Sequence, residues 1–217
     1  AAGRRNAAYP PGPDANAIDR VAALVAGAEN PMIIAQSGGR DHGSIAALGA
    51  LAERFAIPVI QYRPRYMSLP ASHPMHLGFE PSPFLEEADV VLVVDAAVPW
   101  LPDQTGPRSD AKIVHMAPDP LFENLPIRNF PCDIALTTSG TSGLVALDAA
   151  LGEHETAAKG RIDRRRAALA ERRAAQRARQ QAVIERAASQ SPISPAWLTH
   201  CLGEIKGADG IVINEAR

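Results

Sequence analysis

The chain has 217 residues, of which 46% are apolar and 21% are charged, and its formal net charge at neutral pH is −2. This length and composition support one medium or large domain with a packed core, and they exclude a disordered tail or a small scaffold held by disulfides. The longest strongly apolar run, residues 90–94, is far shorter than the ~20 residues of a membrane helix, so we expect a cytoplasmic protein that does not bind a membrane.

The first half of the chain alternates between helical periodicity and short apolar runs. Residues 1–17 are rich in Pro, Gly and Ala, which predicts an extended N-terminal linker. Helices are then predicted at residues 18–25 and 45–55, each followed by a short buried strand, at residues 31–35 and 58–62. These elements form one strand-helix-strand unit of the kind that builds parallel sheets.

Further strands are predicted at residues 90–95, 112–116 and 133–137, and an apolar helix follows residues 140–143. Apolar runs without alternation are typical of strands that are buried on both faces. The predicted fold class is therefore α/β, a doubly wound parallel sheet with flanking helices, and the predicted central domain covers residues 18–155.

A long connecting helix is predicted within residues 156–190, which are rich in Ala, Arg and Gln. Residues 159–186 hold ten basic and three acidic residues, and the few large aliphatic residues form only a thin stripe. We therefore expect a surface helix with solvated arginine side chains. Because no aromatic residues are interleaved for base stacking, the pattern does not favour a nucleic-acid partner.

Residues 191–217 begin a new unit. Ser194 is a candidate N-cap and Pro195 a first helical residue, and residues 210–214 predict a strand after this helix. One helix and one strand cannot bury their own faces, so we expect these residues to be the start of a truncated domain.

The residue patterns offer few candidates for chemistry. Gly38 and Gly39 lie in a turn between a strand and a helix, where they either hold a nucleotide phosphate or simply allow a tight turn. Asp95 ends the most apolar strand, at the sheet edge where doubly wound folds bind ligands, and either contacts a ligand or caps its loop. His73 and His76 have no evident carboxylate partner in the sequence, so we predict no metal ligands. No other pattern indicates a nucleophile or an acid-base pair, so we predict no catalytic residues.

Six segments, taken in order, resemble one known family. They are Pro31-Met32-Ile33-Ile34 with Gly38-Gly39, then residues 51–59 (LAERFAIPV), 72–78 (SHPMHLG), 85–92 (LEEADVVL), 95–100 (DAAVPW) and 117–122 (APDPLF). This series resembles the Rossmann-like central domain of thiamine diphosphate-dependent enzymes of the acetolactate synthase and benzoylformate decarboxylase superfamily. The resemblance covers roughly residues 18–152, and residues 192–217 resemble the start of the C-terminal domain of that superfamily.

The resemblance implies a parent enzyme that decarboxylates or ligates 2-keto acids in the manner of acetolactate synthase. In that family thiamine diphosphate and Mg²⁺ are bound by the two outer domains of a homo-oligomer. The missing N- and C-terminal domains would thus be the partners of this chain, and the chain alone would be inactive. Asn214 and Glu215 match a strand end whose following loop contacts the diphosphate, which makes them cofactor-binding candidates.

Central domains of this superfamily hold FAD, ADP or no cofactor. Flavin-binding members carry arginines after the strand that corresponds to residues 90–95, whereas residues 95–102 here contain Asp95 and no arginine. We therefore expect no cofactor in this chain, with ADP or FAD as the alternatives. Two other interpretations remain open: a self-contained nucleotide- or flavin-binding module, and an interaction domain whose basic helix binds a partner.

Overall fold

Five strands form an all-parallel sheet, which confirms the predicted α/β fold class. The strands are β1 Pro31–Ala35, β2 Val59–Ile60, β3 Val90–Val94, β4 Lys112–Ala117 and β5 Ile134–Thr137. Their order across the sheet is β2-β1-β3-β4-β5, in which the direction of winding reverses between β1 and β3. The computed structural model describes residues 12–123, 125, 130–207, 210 and 212.

The strands lie where the sequence has uninterrupted aliphatic residues. Every residue of β1 and β3 is buried, and the two strands pair in register, with Ile33 opposite Leu92. β5 lies at one edge of the sheet and alternates between buried and exposed residues. Burial on both faces of the inner strands requires cover on both sides of the sheet, and the helices provide it.

In the described part of the chain, three α-helices precede the third strand: α1 Ala15–Gly27, α2 His42–Phe55 and the short α3 Ser82–Leu85. α1 begins after Asp14, whose carboxylate accepts a hydrogen bond from the Ala17 amide at 2.7 Å. This N-cap places the helix start inside the segment that was predicted to be a linker. Residues 1–11 of that segment lie outside the described residues.

The helix α4, Gly140–Ala187, has 48 residues and is continuous. The sequence predicted an apolar helix followed by a separate connecting helix, and the predicted boundary at residue 155 lies within α4. Ile162 and Leu169 are buried in the same core as Leu144 and Leu147, so the core-facing stripe continues beyond that boundary. By their internal contacts, the residues divide into two compact units, Ala1–Leu169 and Ala170–Arg217.

The arginines of α4 in the first unit do not all point into solvent. Arg165 is buried, and its guanidinium donates to the carbonyl oxygens of Ala28 at 2.9 Å and of Phe55 at 2.8 Å. These carbonyls lie at the carboxyl ends of α1 and α2, where helices leave acceptors unsatisfied. Arg166 donates to the carbonyls of Glu53 and Arg54 on the exposed side of the same helix end. The expectation of solvated arginines is therefore wrong for Arg165.

The second unit contains the remainder of α4 and the helix α5, Pro195–Lys206. α5 begins at the predicted Pro195, after Ser194, although the Ser194 side chain makes no capping bond. Its apolar side chains are open to solvent, with Leu202 at 51% and Ile205 at 81% exposure. Of the predicted strand, only residues 210 and 212 are described. No helix in the described part of the chain is both long and apolar enough to cross a bilayer.

Candidate functional site

A cleft of about 440 Å³ opens at the carboxyl edge of the sheet, where the loops after β1, β3, β4 and β5 meet. It lies beside the point where the winding reverses, which is the position at which doubly wound sheets bind ligands. The residues that line it include Gly38, Arg40, Asp41, Asp95, Ser139 and Gly140. The strand topology thus brings together residues that lie 100 positions apart in the chain.

Two helices begin at this cleft, α2 at His42 and α4 at Gly140. A helix N-terminus presents free amide groups and a partial positive charge, which favour an anion. At α4 the amide of Ser142 donates to the Ser139 hydroxyl at 3.1 Å, and the amide of Thr141 donates to the Asp41 carboxylate at 3.1 Å. A carboxylate of the chain itself therefore holds the position that an external anion would take.

The environment of Asp41 favours its charged form. The hydroxyl of Thr141 beside the carboxylate, together with the Thr141 and Gly43 amides, holds the pKa of Asp41 below its usual range, and partial burial opposes this shift. Asp41 is thus anionic at neutral pH and does not act as a proton donor there. Its role in the cleft is that of a fixed negative charge.

Asp95 has the opposite environment. Its side chain is only 16% exposed, and burial raises the pKa of this carboxyl above its usual value, although the nearby Arg40 guanidinium acts against the shift. The closest approach between the two groups is 3.5 Å, and the Arg40 side chain is 60% exposed, so this ion pair is weak. Asp95 also has a left-handed backbone, with φ of 46°. Strained backbone and a desolvated carboxyl together are features that cluster at functional sites.

The charges in the cleft do not suit a phosphorylated ligand. Asp41 and Asp95 bring two carboxylates to a space that has only the exposed Arg40 as a permanent cation among the described lining residues. A diphosphate placed between them would meet like charges without the bidentate guanidinium contacts that bind phosphate well. The cleft is better matched to neutral hydroxyl groups or to a cation than to an anionic cofactor.

The two predicted turn glycines have different positions. Gly38 lines the cleft, and its carbonyl accepts a short hydrogen bond from the Ser44 hydroxyl. Gly39 packs against the loop after β2, and a Cβ atom at Gly39 would lie 1.9 Å from the Met67 carbonyl oxygen. The packing of that loop is sufficient to require glycine at position 39. A role of either glycine in cofactor binding stays a prediction.

Sequence reasoning missed two buried glutamines that organise this edge. Gln36 accepts from the Ala97 amide at 3.0 Å and donates to the Arg63 carbonyl at 3.3 Å, which links the loops after β1, β2 and β3. Gln61 accepts from the Ser68 amide at 2.7 Å and donates to the Leu69 carbonyl at 2.8 Å. Each glutamine directly follows a buried strand. A polar residue at that position was the signal that could have predicted these loop contacts.

Other predicted positions show no reactive arrangement. No carboxylate partner for the two histidines was evident from the sequence, whereas the structure places His73 3.6 Å from the Glu53 carboxylate; His76 is buried. Within the described ranges, no group of three His, Cys, Asp or Glu side chains is placed to hold a metal ion. Cys132 and Cys201 are half-buried and form no disulfide. The cofactor-binding candidates Asn214 and Glu215 lie outside the described residues.

Comparison with known proteins gives one family match. The model of the "Thiamine pyrophosphate enzyme, central domain" family matches residues 18–138, which is more than half of the chain. The match ends at Thr138, just before the N-terminus of α4 that borders the cleft. No curated protein matches the chain by sequence.

Solved structures share the fold. One is a protein from Mycobacterium smegmatis proposed to be a thiamin diphosphate-dependent enzyme, with 24% identity and a TM-score of 0.56 over 69% of this chain. Another is benzoylformate decarboxylase from Polynucleobacter necessarius, with 18% identity and a TM-score of 0.58 over 68% of this chain. The chain spans 30% and 29% of the length of these two proteins.

Proposed function

The chain belongs to the thiamine pyrophosphate enzyme family through its central domain, and from this we propose that it is the structural central domain of a 2-keto acid decarboxylase or carboligase similar to acetolactate synthase. The observation that carries the proposal is the family match over residues 18–138, which coincides with the complete parallel sheet. The short share of each solved relative that the chain spans supports a role as one part of a longer enzyme.

The described residues do not fit thiamine diphosphate itself. Its diphosphate requires cations or a metal site, whereas the carboxyl-edge cleft presents Asp41 and Asp95, and no cluster of metal-ligating side chains occurs in the described part of the chain. In our proposal thiamine diphosphate and Mg²⁺ are bound by other domains of the parent, and this chain contributes the scaffold between them.

A self-contained nucleotide- or flavin-binding module is the second candidate, and the position of the cleft at the winding reversal is the observation that favours it. The two carboxylates oppose it, because ADP and FAD both carry a diphosphate. We predict that the purified chain is colourless and that added ADP does not change its melting temperature. A stoichiometric flavin chromophore after gel filtration, or an ADP-dependent rise in melting temperature, would support the second candidate instead.

The proposal is tested by assaying this chain and a longer parent polypeptide in parallel. We predict no turnover of pyruvate or benzoylformate by the chain with added thiamine diphosphate and Mg²⁺, and turnover of at least one 2-keto acid by the parent. A well-characterised thiamine enzyme in the same buffer controls for cofactor quality. Turnover by the chain alone would show that it is not only a scaffold, and an inactive parent with bound cofactor would contradict the proposed reaction class.

The remaining parts of the proposal concern the setting of the parent. We infer a homo-oligomer whose N- and C-terminal domains are the partners of this chain, and we infer a cytoplasmic location. Cys132 and Cys201 form no disulfide, which supports a reducing compartment. Size determination of the parent in solution and fractionation of the source cells test these two points.

A further inference from the structure

The loop after β2, here called the basic loop, is an exposed patch that carries charge of one sign. It comprises residues 63–67, with the sequence Arg-Pro-Arg-Tyr-Met, and all five residues are exposed. None of these five residues lines the cleft described above. The basic loop is therefore a separate feature of the carboxyl edge of the sheet.

The backbone of the basic loop is bonded to the sheet edge beneath it. The amides of Arg65 and Tyr66 donate to the Gln36 carbonyl at 2.9 and 3.3 Å. The Gln36 side chain donates to the Arg63 carbonyl at 3.3 Å, and the Met67 carbonyl packs against the turn after β1. Because the backbone is already held in place, the loop has little conformational freedom left to lose when its side chains bind a partner.

The two arginines of the basic loop are not neutralised by a carboxylate in the described part of the chain. None of the ion pairs among the described residues involves Arg63 or Arg65. The Arg63 guanidinium lies 5.4 Å from the centroid of the Tyr62 ring, a cation–π contact that orients the guanidinium and leaves its charge in place. The loop thus presents two positive charges at the surface.

Large apolar side chains lie beside these charges. Tyr66 and Met67 are 49% and 54% exposed, and Phe79 is 55% exposed. The Gly78 carbonyl accepts a hydrogen bond from the Gln61 amide at 3.0 Å, which places Phe79 beside the strand end from which the basic loop starts. Protein interfaces favour Tyr, Phe, Met and Arg relative to the rest of a protein surface. The composition of this patch is therefore that of a protein-binding surface.

We propose that the basic loop binds an acidic peptide segment of a separate protein, in which Asp or Glu residues flank an apolar side chain. The carboxylates of the segment pair with Arg63 and Arg65. Its apolar side chain packs on Tyr66 and Met67. A single-stranded nucleic acid is a poorer match, because two cations on one short loop do not form a groove that follows its backbone, and the Tyr62 ring is buried and cannot stack on a base.

Selection from a phage-displayed library of short random peptides, with the purified chain as the target, tests the proposal. We expect enriched peptides to carry acidic residues on both sides of an apolar one. Their affinity, measured by fluorescence anisotropy of labelled synthetic copies, should fall by ~10-fold or more between ~20 mM and ~500 mM salt, because exposed charges are screened over shorter distances at high salt. The absence of enrichment, or peptides whose affinity does not change with salt, overturns the proposal.

Charge reversal identifies the surface. The variant Arg63→Glu with Arg65→Glu should lose affinity for the selected peptides by ~10-fold or more, and peptides with lysine in place of their acidic residues should bind this variant. The control, Arg20→Glu with Arg177→Glu, makes the same charge change at exposed sites elsewhere and should bind as the unchanged chain does. Circular dichroism of each variant checks that the fold is retained. Equal affinity of the loop variant and the unchanged chain, or no binding of the lysine peptides, overturns the assignment of the surface.

Two further measurements test the kind of partner. The longer parent polypeptide should bind the selected peptides as the chain does; binding by the chain but not by the parent would show that another domain covers the loop and would overturn a separate partner. Labelled oligouridylate should bind more weakly than the peptides, and tighter binding would overturn the proposal in favour of a nucleic acid. No readout here involves turnover, so the proposal does not depend on the proposed function.

Discussion

Replacing Arg165 with methionine tests whether the buried guanidinium stabilises the packing of α4 against the carboxyl ends of α1 and α2. Methionine keeps most of the aliphatic volume of arginine but has no donor. The substitution therefore removes the hydrogen bonds to the Ala28 and Phe55 carbonyls at 2.9 and 2.8 Å without opening a large cavity. Both acceptor residues are buried, at 4% and 2% exposure, so water cannot readily replace the lost donor.

The magnitude follows from two opposing effects. Each buried carbonyl left without a donor costs about 1–3 kcal/mol, and the two together set the destabilising part. Against this, the variant no longer buries a charge, and burial of Arg165 is costly enough to lower its pKa to about 10. We expect a net loss of about 2–4 kcal/mol in the free energy of unfolding. For a chain of this size that corresponds to a fall of ~5–15 °C in melting temperature.

The matched control is Arg166→Met on the same helix. Arg166 also donates to two carbonyls at the end of α2, those of Glu53 and Arg54, at 2.8 and 3.0 Å. Because that site is exposed, water can replace the guanidinium, and we expect a loss below about 1 kcal/mol. Urea denaturation followed by circular dichroism compares the two variants. Equal losses in the two variants, or a larger loss for Arg166→Met, would refute the argument that burial decides the cost.

Three further predictions concern the carboxyl edge. Asp41→Asn should lower stability at neutral pH by about 0.5–1 kcal/mol, because the carboxylate bonds the Thr141 amide at a helix N-terminus. Since the folded-state pKa of Asp41 is lowered, this contribution is present above its usual pKa and is lost as the pH falls through the lowered value. Urea denaturation should therefore show the free energies of unfolding of Asp41→Asn and the unchanged chain converging in acid. A difference that stays constant with pH would contradict the assignment. Asp95→Gly should raise the melting temperature, by an amount that corresponds to a gain of about 1 kcal/mol in the free energy of unfolding, because it removes a left-handed non-glycine residue and a desolvated carboxyl. An unchanged or lower melting temperature would show that Asp95 is not strained. Gly39→Ala should destabilise the fold by more than 1 kcal/mol, about the general cost of overpacking, because its Cβ would collide with the Met67 carbonyl; a stability equal to the parent chain would show that the loop simply moves aside.

The fold class was accessible from sequence because its signals are local. The residues of β1 and β3 are consecutive aliphatics, and consecutive aliphatics of that length predict buried strands wherever they lie in the fold. The helix start at Pro195 was likewise encoded by adjacent residues. The family resemblance added the order of the motifs, and the match over residues 18–138 confirms it.

Local signals were misleading where the environment changes along one element. The segment after residue 155 reads as a polar connecting helix, yet it is continuous with the core helix and buries Ile162 and Leu169. A thin apolar stripe is enough to bury a helix when neighbouring helix ends supply acceptors for its arginines. No residue near Arg165 in the sequence reveals that two helix ends will meet it.

The sequence pointed to Gly38 and Asp95 of the candidate site, but not to Asp41 or to the contacts among the lining residues. The turn around Gly38 and the strand end at Asp95 were recognised from their neighbours, since strand ends and turns are marked by local composition. The bond between Asp41 and Thr141 joins positions 100 residues apart, and it exists only because the strand order brings the ends of β1 and β5 to one edge. Periodicity determines which residues are buried, whereas the order of strands decides which charges become neighbours, and that order results from packing of the whole domain.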